Sequence, residues 1–157
     1  MIRGLITAFL VIISDQISKY AILNFLLQER MGIKVCEFFN IVRAWNTGVS
    51  FSMFNNYGYT GVIILSSAAI GVVLMLLYWL ISEKDKIIQL ALGLIMGGAI
   101  GNVIDRLHKG AVFDFLDFHI NEIHWPAFNI ADSCICIGAG IIIFQTILTQ
   151  VNKSKEK

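Results

Sequence analysis

Charged residues are scarce in this chain of 157 residues, at 15% of the sequence against a hydrophobic share of 57%. A soluble domain carries about 25% charged residues, so this chain has too few polar side chains to cover a water-facing surface. Its net charge of +1 also gives no sign of the basic stripe that nucleic-acid-binding proteins present. The composition indicates an integral membrane protein with room for one domain.

Common catalytic and metal-binding patterns are missing as well. No serine lies in a Gly-x-Ser-x-Gly turn and there is no His-Glu-x-x-His motif. The cysteines lack metal spacing, and Cys134 and Cys136, inside an apolar run, are expected to be small buried hydrophobic residues. His108, His119 and His124 share a connector with several aspartates, which leaves a metal cluster as an alternative, but their spacing matches no ligand pattern. We expect neither a metal nor a cofactor.

Four apolar runs are long enough to cross a bilayer as helices, since a span needs about 20 residues. They cover residues 5–27, 59–81, 87–104 and 129–148, joined by connectors at 28–58 and 107–128 and a charged turn at 82–86. The sequence therefore predicts one domain over residues 1–157. Its fold class is an all-α integral membrane protein of four transmembrane helices, with a small extracytoplasmic β element between spans one and two.

An even number of spans places both termini and the charged turn on one side of the membrane. That side carries Arg3, Lys84, Lys86, Lys153, Lys155 and Lys157, against Arg30, Lys34, Arg43, Arg106 and Lys109 on the other. Because cytoplasmic segments are enriched in lysine and arginine, this small excess weakly favours cytoplasmic termini. We therefore expect both connectors to be extracytoplasmic.

The first connector has the pattern of a small antiparallel β element. Residues 49–53 alternate between apolar and polar types, which is the period of a half-buried strand. Residues 38–45 are rich in aromatic and β-branched types, and residues 46–48, between the two, have turn chemistry. We expect an apolar-faced β element at the membrane surface, with an ordinary loop as the alternative.

Two spacings within the spans predict how the helices pack. Asp15 and Lys19 are four residues apart on one face of the first span, which favours an internal ion pair over a direct catalytic role. Gly93, Gly97 and Gly101 repeat at small-xxx-small spacing along the third span. Such a face lets a neighbouring helix approach closely, so packing is favoured over phosphate binding.

Residues 101–132 concentrate the polar chemistry of the chain, with four aspartates between apolar runs. A charged side chain at the centre of a membrane helix costs about 2.5–3.5 kcal/mol and less near the interface. Two nearby carboxylates share a proton, because both cannot easily ionise. One can then activate a water while the other protonates a carbonyl or leaving group.

The residues alone leave the pairing of these aspartates open. Asp132, just inside the fourth span, lies at the depth that a membrane-interface site needs. Either Asp114 or Asp117 can face it, since the two are three residues apart in the connector. Asp105, beside Arg106 at a helix end, suits an ion pair or a helix cap.

Two non-hydrolytic functions are alternatives. A transporter or ion-conducting protein would need ionisable groups at several depths, and the interiors of spans two and three have none. A non-catalytic lipid-binding or assembly subunit would tolerate Asp114→Asn or Asp132→Asn, whereas a catalytic pair would not.

Ordered motifs resemble the bacterial lipoprotein signal peptidase (signal peptidase II) family over nearly the whole chain. They are Asp15…Lys19-Tyr20, Asn46-Thr-Gly48-Val-Ser-Phe51-Ser52, Asn102-Val-Ile-Asp105-Arg106, Gly110-Ala-Val-Phe-Asp114-Phe-Leu-Asp117-Phe118 and Phe128-Asn129-Ile-Ala131-Asp132. One departure is Gly48-Val49-Ser50-Phe51, where the family often reads Gly-Ala-Ala-Phe. This difference affects how tightly the first connector is expected to bind substrate, and it leaves both proposed catalytic aspartates in place.

The resemblance implies an aspartyl endopeptidase of the bacterial cytoplasmic (inner) membrane. Such an enzyme removes the signal peptide from diacylglyceryl-modified prolipoproteins by cutting before the lipidated cysteine. The implied residues are catalytic Asp114 and Asp132, substrate-binding Asn46, Asn102, Arg106 and Asn129, and supporting Asp15, Lys19, Asp105 and Asp117. It further implies a monomer in membrane lipid, no nucleic-acid partner, and inhibition by a cyclic peptide of the globomycin type.

Overall fold

The computed structural model describes residues 1–48 and 58–155. Within these residues there are four long helices: α1 (Ile2–Ala21), α2 (Gly58–Ser82), α3 (Lys86–Lys109) and α4 (Ile130–Lys155). A π-helical segment, Ile22–Leu27, continues α1. All four helices are long and apolar enough to cross a membrane. The prediction of a mostly helical membrane protein with four candidate spans is therefore confirmed.

The third helix is longer than the apolar run that predicts it. The run was expected to end at Ile104, whereas α3 continues to Lys109. Hydropathy falls at Asp105, but this carboxylate is ion-paired inside the protein, so the helix has no need to stop there. It ends at Gly110, whose left-handed backbone (φ 75°) lets its N–H donate to the carbonyl of Arg106.

The helix α3 packs against α1, α2 and α4 and lies at the centre of the bundle. A Cβ placed on Gly97 would lie 2.6 Å from the carbonyl oxygen of Ala8, so only glycine permits this approach of α1. Gly93 meets the carbonyl of Gly4 in the same way. The predicted close packing along this face is confirmed.

A four-stranded antiparallel sheet lies at the end of the bundle where α3 finishes and α4 begins. Its order is β1 (Gly32–Cys36), β2 (Phe39–Asn46), β3 (Val112–Ile120) and β4 (Ile123–His124). The β element was expected wholly between spans one and two, but β3 and β4 come from the second connector. The expected strand in residues 38–45 corresponds to β2, and the alternating residues 49–53 lie outside the described residues.

The sheet is joined to the first helix by an apolar cluster. Phe113 and Phe115, on one face of β3, pack with Leu27 at the end of the π-helical segment, and all three are buried. A bulge in β2 between Ile41 and Ala44 sets the register, so that Ala44 lies opposite Asp114. The cluster fixes β3 beside the bundle and so fixes the position of Asp114.

The cysteines differ from their prediction. Cys134 is half-buried and Cys136 is exposed on α4, so the expectation of a buried residue is wrong for Cys136. The reason is that an apolar run in a membrane span turns part of its surface to lipid. An apolar surrounding therefore does not require contact with other protein atoms.

Candidate active site

The start of α4 holds Asp132 in a reciprocal pair of hydrogen bonds with Asn129. The side-chain oxygen of Asn129 accepts from the backbone N–H of Asp132 at 2.9 Å. In return, a carboxylate oxygen of Asp132 accepts from the backbone N–H of Asn129 at 3.2 Å. This is a capping box, in which the residue before the helix and the third helical residue satisfy each other's N–H groups. The sequence Asn129-Ile-Ala-Asp132 thus orients the Asp132 carboxylate.

The same asparagine also holds Asp114. The Asn129 side-chain amide donates to one carboxylate oxygen of Asp114 at 2.7 Å. The amide of Asn46, from the end of β2, donates to the other oxygen at 3.2 Å. Asp114 and Asp132 therefore share Asn129 as a common neighbour, although they lie on different secondary-structure elements.

Asp114 has an unusual protonation equilibrium. Burial and the neighbouring Asp132 carboxylate raise the pKa of Asp114 from 3.8 to about 7, against hydrogen bonds from Asn46 and Asn129 that favour the charged form. A carboxyl group with this pKa can hold or release a proton near neutral pH, which is what general acid–base chemistry requires.

Asp132 is connected to a buried network behind it. Asn102, on α3, donates its side-chain amide to Asp132 at 2.7 Å. The side-chain oxygen of Asn102 accepts from Lys19 at 3.3 Å and from Asn129 at 3.2 Å. Asn102 thereby links the two-aspartate site to the first helix.

Lys19 lies at the centre of a cluster of buried charges. Its ammonium nitrogen is 2.8 Å from Asp15 and 2.9 Å from Asp105, with all three side chains at most 1% exposed. The predicted internal ion pair of Asp15 and Lys19 is present. Asp15 also accepts from the backbone N–H of Ala131 at 3.0 Å, in the first turn of α4. Asp105 accepts from the N–H of Phe113 at 3.2 Å, at the start of β3. The cluster thus fixes both elements that carry the two-aspartate site.

Arg106 extends from α3 towards the end of the first connector. Its guanidinium donates to the carbonyl of Gly48 at 3.1 Å, while its Nε is buried and has no partner among the described residues. Asp132 and Asp114 both lie close enough to act on it electrostatically. Arg106 therefore places a cationic side chain next to the two carboxylates.

Asp117 is not part of this site. It lies on the opposite face of β3 from Asp114, because residues three apart on a strand point to opposite sides. It accepts from Asn40 at 3.0 Å and lies 2.8 Å from Nδ1 of His124. Burial acts to raise the pKa of Asp117, but the hydrogen bonds from His124 and Asn40 outweigh it and leave the pKa below its ordinary value.

The three histidines of the second connector do not come together at Asp114 and Asp132. The rings of His119 and His124 stack with centroids 4.7 Å apart, next to Asp117. His108 lies at the end of α3, by a different groove. Among residues 1–48 and 58–155, no group of three or more histidine, cysteine, aspartate or glutamate residues is placed to hold a metal ion.

Comparison with known proteins agrees with this arrangement. The sequence pattern of the signal peptidase (SPase) II family matches residues 7–148. A lipoprotein signal peptidase of Alteromonas mediterranea is 40% identical over 157 residues, which span 99% of this chain and 86% of the relative. One from Polynucleobacter necessarius is 40% identical over 164 residues, with 99% and 96% covered.

The chain belongs to the signal peptidase II family.

Solved structures support the same conclusion at the level of fold. A bacterial membrane enzyme determined by the in meso method at 2.3 Å superposes with a TM-score of 0.82 and 31% identity, covering 96% of this chain and 90% of the other. A second bacterial membrane enzyme, determined by the in meso method at 1.9 Å, superposes with a TM-score of 0.76 and is 31% identical, with 91% of each chain covered. The fold of these membrane enzymes therefore extends over nearly all of this chain.

The structure brings together most of the residues that the sequence singled out. Asn46, Asn102, Asn129 and Arg106 all lie around Asp114 or Asp132. Sequence reasoning missed the contacts of Gln16 and Lys109 with Asp105 and those of Asn40 and His124 with Asp117, although it had considered His124 as a metal ligand. The only local signal was that Lys109 follows Asp105 by four residues, a spacing that brings side chains together on a helix.

Proposed function

We propose that this chain is an aspartyl endopeptidase that removes the signal peptide from diacylglyceryl-modified prolipoproteins, cutting before the lipidated cysteine. The observation that carries the mechanism is the bridge through Asn129, which contacts Asp114 and Asp132 at once. Membership of the signal peptidase II family, and relatives named lipoprotein signal peptidase, support the substrate class.

In this mechanism Asp114 and Asp132 together hold one proton. The unprotonated carboxylate takes a proton from a water molecule, whose oxygen attacks the carbonyl carbon of the peptide bond before the cysteine. The other carboxyl group donates its proton to the carbonyl oxygen. Collapse of the tetrahedral intermediate breaks the C–N bond: the amine leaves with a proton from the pair, and a hydroxyl of the intermediate returns a proton to the pair as the new carboxyl group forms. We assign the starting proton to the pair, because coupled groups titrate together.

The surrounding polar residues have supporting roles in this proposal. Arg106 offers a fixed set of donors for a substrate carbonyl or lipid ester, since its Nε has no partner among the described residues. Asn46, Asn102 and Asn129 hold the two carboxyl groups in place and line the substrate-binding region. Asp15, Lys19 and Asp105 support the scaffold behind the site, and Asp117 supports the sheet.

The orientation in the membrane is also a proposal. The site lies at the end of the bundle that carries the sheet, so we place it near the extracytoplasmic face of the bacterial inner membrane, with both termini cytoplasmic. A fluorescent reporter that folds only in the cytoplasm, fused after Lys157, would fluoresce under this topology and stay dark if it is inverted. We further propose that the protein works as a monomer and that a globomycin-type cyclic peptide inhibits it.

The function is tested by cleavage of a purified diacylglyceryl-prolipoprotein in nanodiscs. Asp114→Asn and Asp132→Asn should each bind substrate and lower turnover on the order of 10⁴-fold, because each removes half of the proton transfer. Asp117→Asn is the matched control, since it changes the same residue type on the same strand and should keep cutting. The wild type should also cut in the presence of a chelator.

Two outcomes would contradict the proposal. Turnover by both Asp114→Asn and Asp132→Asn would show that the pair is not catalytic. A wild-type protein that binds the prolipoprotein without cutting it would favour a lipid-binding or assembly role.

A further inference from the structure

A groove with a volume of about 970 Å³ lies between the sheet end of α1 and the last turns of α3. Its lining includes neither Asp114 nor Asp132, so it is separate from the candidate active site. Much of its wall is apolar, formed by Ile17, Leu23, Phe25 and Ile104 among others. The volume is at the upper end of the range typical of small-molecule sites, about 300–1,000 Å³.

A polar stripe runs along the α1 side of this groove. Gln16, Tyr20 and Asn24 line it at intervals of four residues, the spacing that places side chains on one helix face. Gln28 also lines it, just beyond the end of the helical segment. Tyr20 is 62% exposed, although it lies in a membrane span. The segment also contains the π-helical turns, which occur frequently at functional sites.

The rim of the groove is positively charged. Lys109 lies 3.5 Å from Asp105, but Asp105 is also 2.9 Å from Lys19. The two acids Asp15 and Asp105 are therefore balanced by the two lysines. Arg43 adds a further positive charge, since it forms no ion pair among the described residues.

The guanidinium of Arg43 is placed at the groove without being fully satisfied. It donates to the carbonyl of Gln28, while its Nε is buried and has no partner among the described residues. Lys109 lies 5.6 Å from the ring centroid of Trp45. Tryptophan and tyrosine are typical of the membrane–water interface, so the cationic rim lies at the level of lipid headgroups.

We propose that this groove binds a phospholipid, with its phosphate between Arg43 and Lys109 and an acyl chain along the apolar wall. The charge of the rim decides between lipid classes. A phosphodiester is an anion that arginine and lysine bind through charge-assisted hydrogen bonds. The diacylglyceryl thioether of a prolipoprotein carries no negative charge and leaves Arg43, which forms no ion pair among the described residues, without an anionic partner. The inference does not depend on the proposed peptidase activity.

The test measures lipid retention by native mass spectrometry of the full chain, delipidated in detergent and titrated with lipid. Dioleoyl-phosphatidylglycerol should bind with one tight site, whereas dioleoylglycerol, which lacks the phosphate, and inorganic phosphate, which lacks the chains, should not. Arg43→Gln combined with Lys109→Gln should weaken phosphatidylglycerol binding by about 100-fold, at about tenfold for each charge-assisted contact. Arg30→Gln combined with Lys34→Gln removes the same charge from exposed residues outside the groove and should bind as the wild type does.

Two further variants guard against loss of folding. Arg43→Lys keeps the charge and should retain binding within a few-fold, and Ala21→Phe fills the apolar wall without altering any charge and should weaken binding. Equal retention of phosphatidylglycerol by the double variant and the wild type would overturn the proposal. Equal binding of dioleoylglycerol would also overturn it, since the groove would then select for chains alone. A parallel loss in the Arg30 and Lys34 control would show that only overall charge matters.

Discussion

Two pairs of aspartates lie within one polar region of this protein, and their surroundings are opposite. Asp15 and Asp105 are each within 2.9 Å of the ammonium group of Lys19. Asp114 and Asp132 have no lysine or arginine at ion-pair distance among the described residues and are held by asparagine side chains. The charge of a carboxylate paired with lysine is neutralised, and the pair links parts of the structure. A carboxyl group held by neutral amides can instead gain or release a proton during a reaction.

The comparison shows that residue type alone does not assign a role here. All four side chains are aspartates near one end of the bundle, and Asn102 contacts both groups, since it accepts from Lys19 and donates to Asp132. What separates the two pairs is the charge of their immediate partner. The predictions below test whether the free energy of unfolding depends mainly on Asp15 and Asp105, and the cleavage rate mainly on Asp114 and Asp132.

The largest effect is expected from Lys19→Met. It leaves Asp15 and Asp105 buried without their cation, and breaking a buried ion pair costs about 3–5 kcal/mol. The free energy of unfolding, measured in mixed detergent micelles, should fall by that amount. Lys109→Met is the control, because its side chain is 38% exposed and should cost about 0–1 kcal/mol. Equal losses in the two variants would show that the buried ion pairs of Lys19 add no more stability than the exposed ion pair of Lys109, and would contradict the structural role given to the first pair.

The pH dependence of cleavage should report the second pair. Because the pKa of Asp114 is about 7, kcat/KM should fall about tenfold per pH unit above that value, as the proton needed by the pair is lost. A rate that stays flat from pH 6 to 9 would contradict the proton-sharing assignment.

Stability should respond to the same titration. The folded pKa of Asp114 is raised above its ordinary value of 3.8. The protonated carboxyl therefore contributes its full stabilisation below pH 3.8, and this stabilisation is lost as the pH rises through about 7. Asp114→Asn removes this dependence. The variant should therefore gain stability relative to the wild type between pH 5 and 8, in unfolding experiments across that range.

A smaller effect is expected from Asn129→Ala. Loss of the helix cap should cost about 1 kcal/mol of unfolding free energy. The variant also removes a hydrogen bond to the charged form of Asp114, so the descending limb of kcat/KM should move to higher pH. Ser133→Ala, whose hydroxyl only donates to the carbonyl of Asn129, should leave the limb in place.

The smallest effect is expected from Asp117→Asn. The pKa of Asp117 is below its ordinary value, so the wild type has extra stability above that ordinary value and loses it as pH falls through the folded pKa. The variant should lose slightly more stability at pH 7 than at pH 3, with cleavage unchanged. A large loss of cleavage would assign Asp117 to the reactive pair instead.

The four helices could be predicted because long apolar runs and glycine spacing are local features. The strand β3 could not, since Asp114 and Asp117 interrupt its apolar pattern and it gains its stability from pairing with β2, far away in sequence. The signal that was available is the aromatic and β-branched content of Val112–Ile120. The pairing of Asp132 with Asp114 rather than Asp117 follows from the period of two along that same strand. Family resemblance had selected Asp114 without that geometry.

The bridge through Asn129 also has a consequence for the order of events during synthesis. Asp132 is oriented by the capping of α4, and α4 is synthesised after the other three helices. Until that helix has been inserted and its first turn has formed, Asp114 lacks the amide donated by Asn129 and its partner carboxylate. In the proposed mechanism a nascent chain is therefore inert, and hydrolysis begins only when the four helices are assembled.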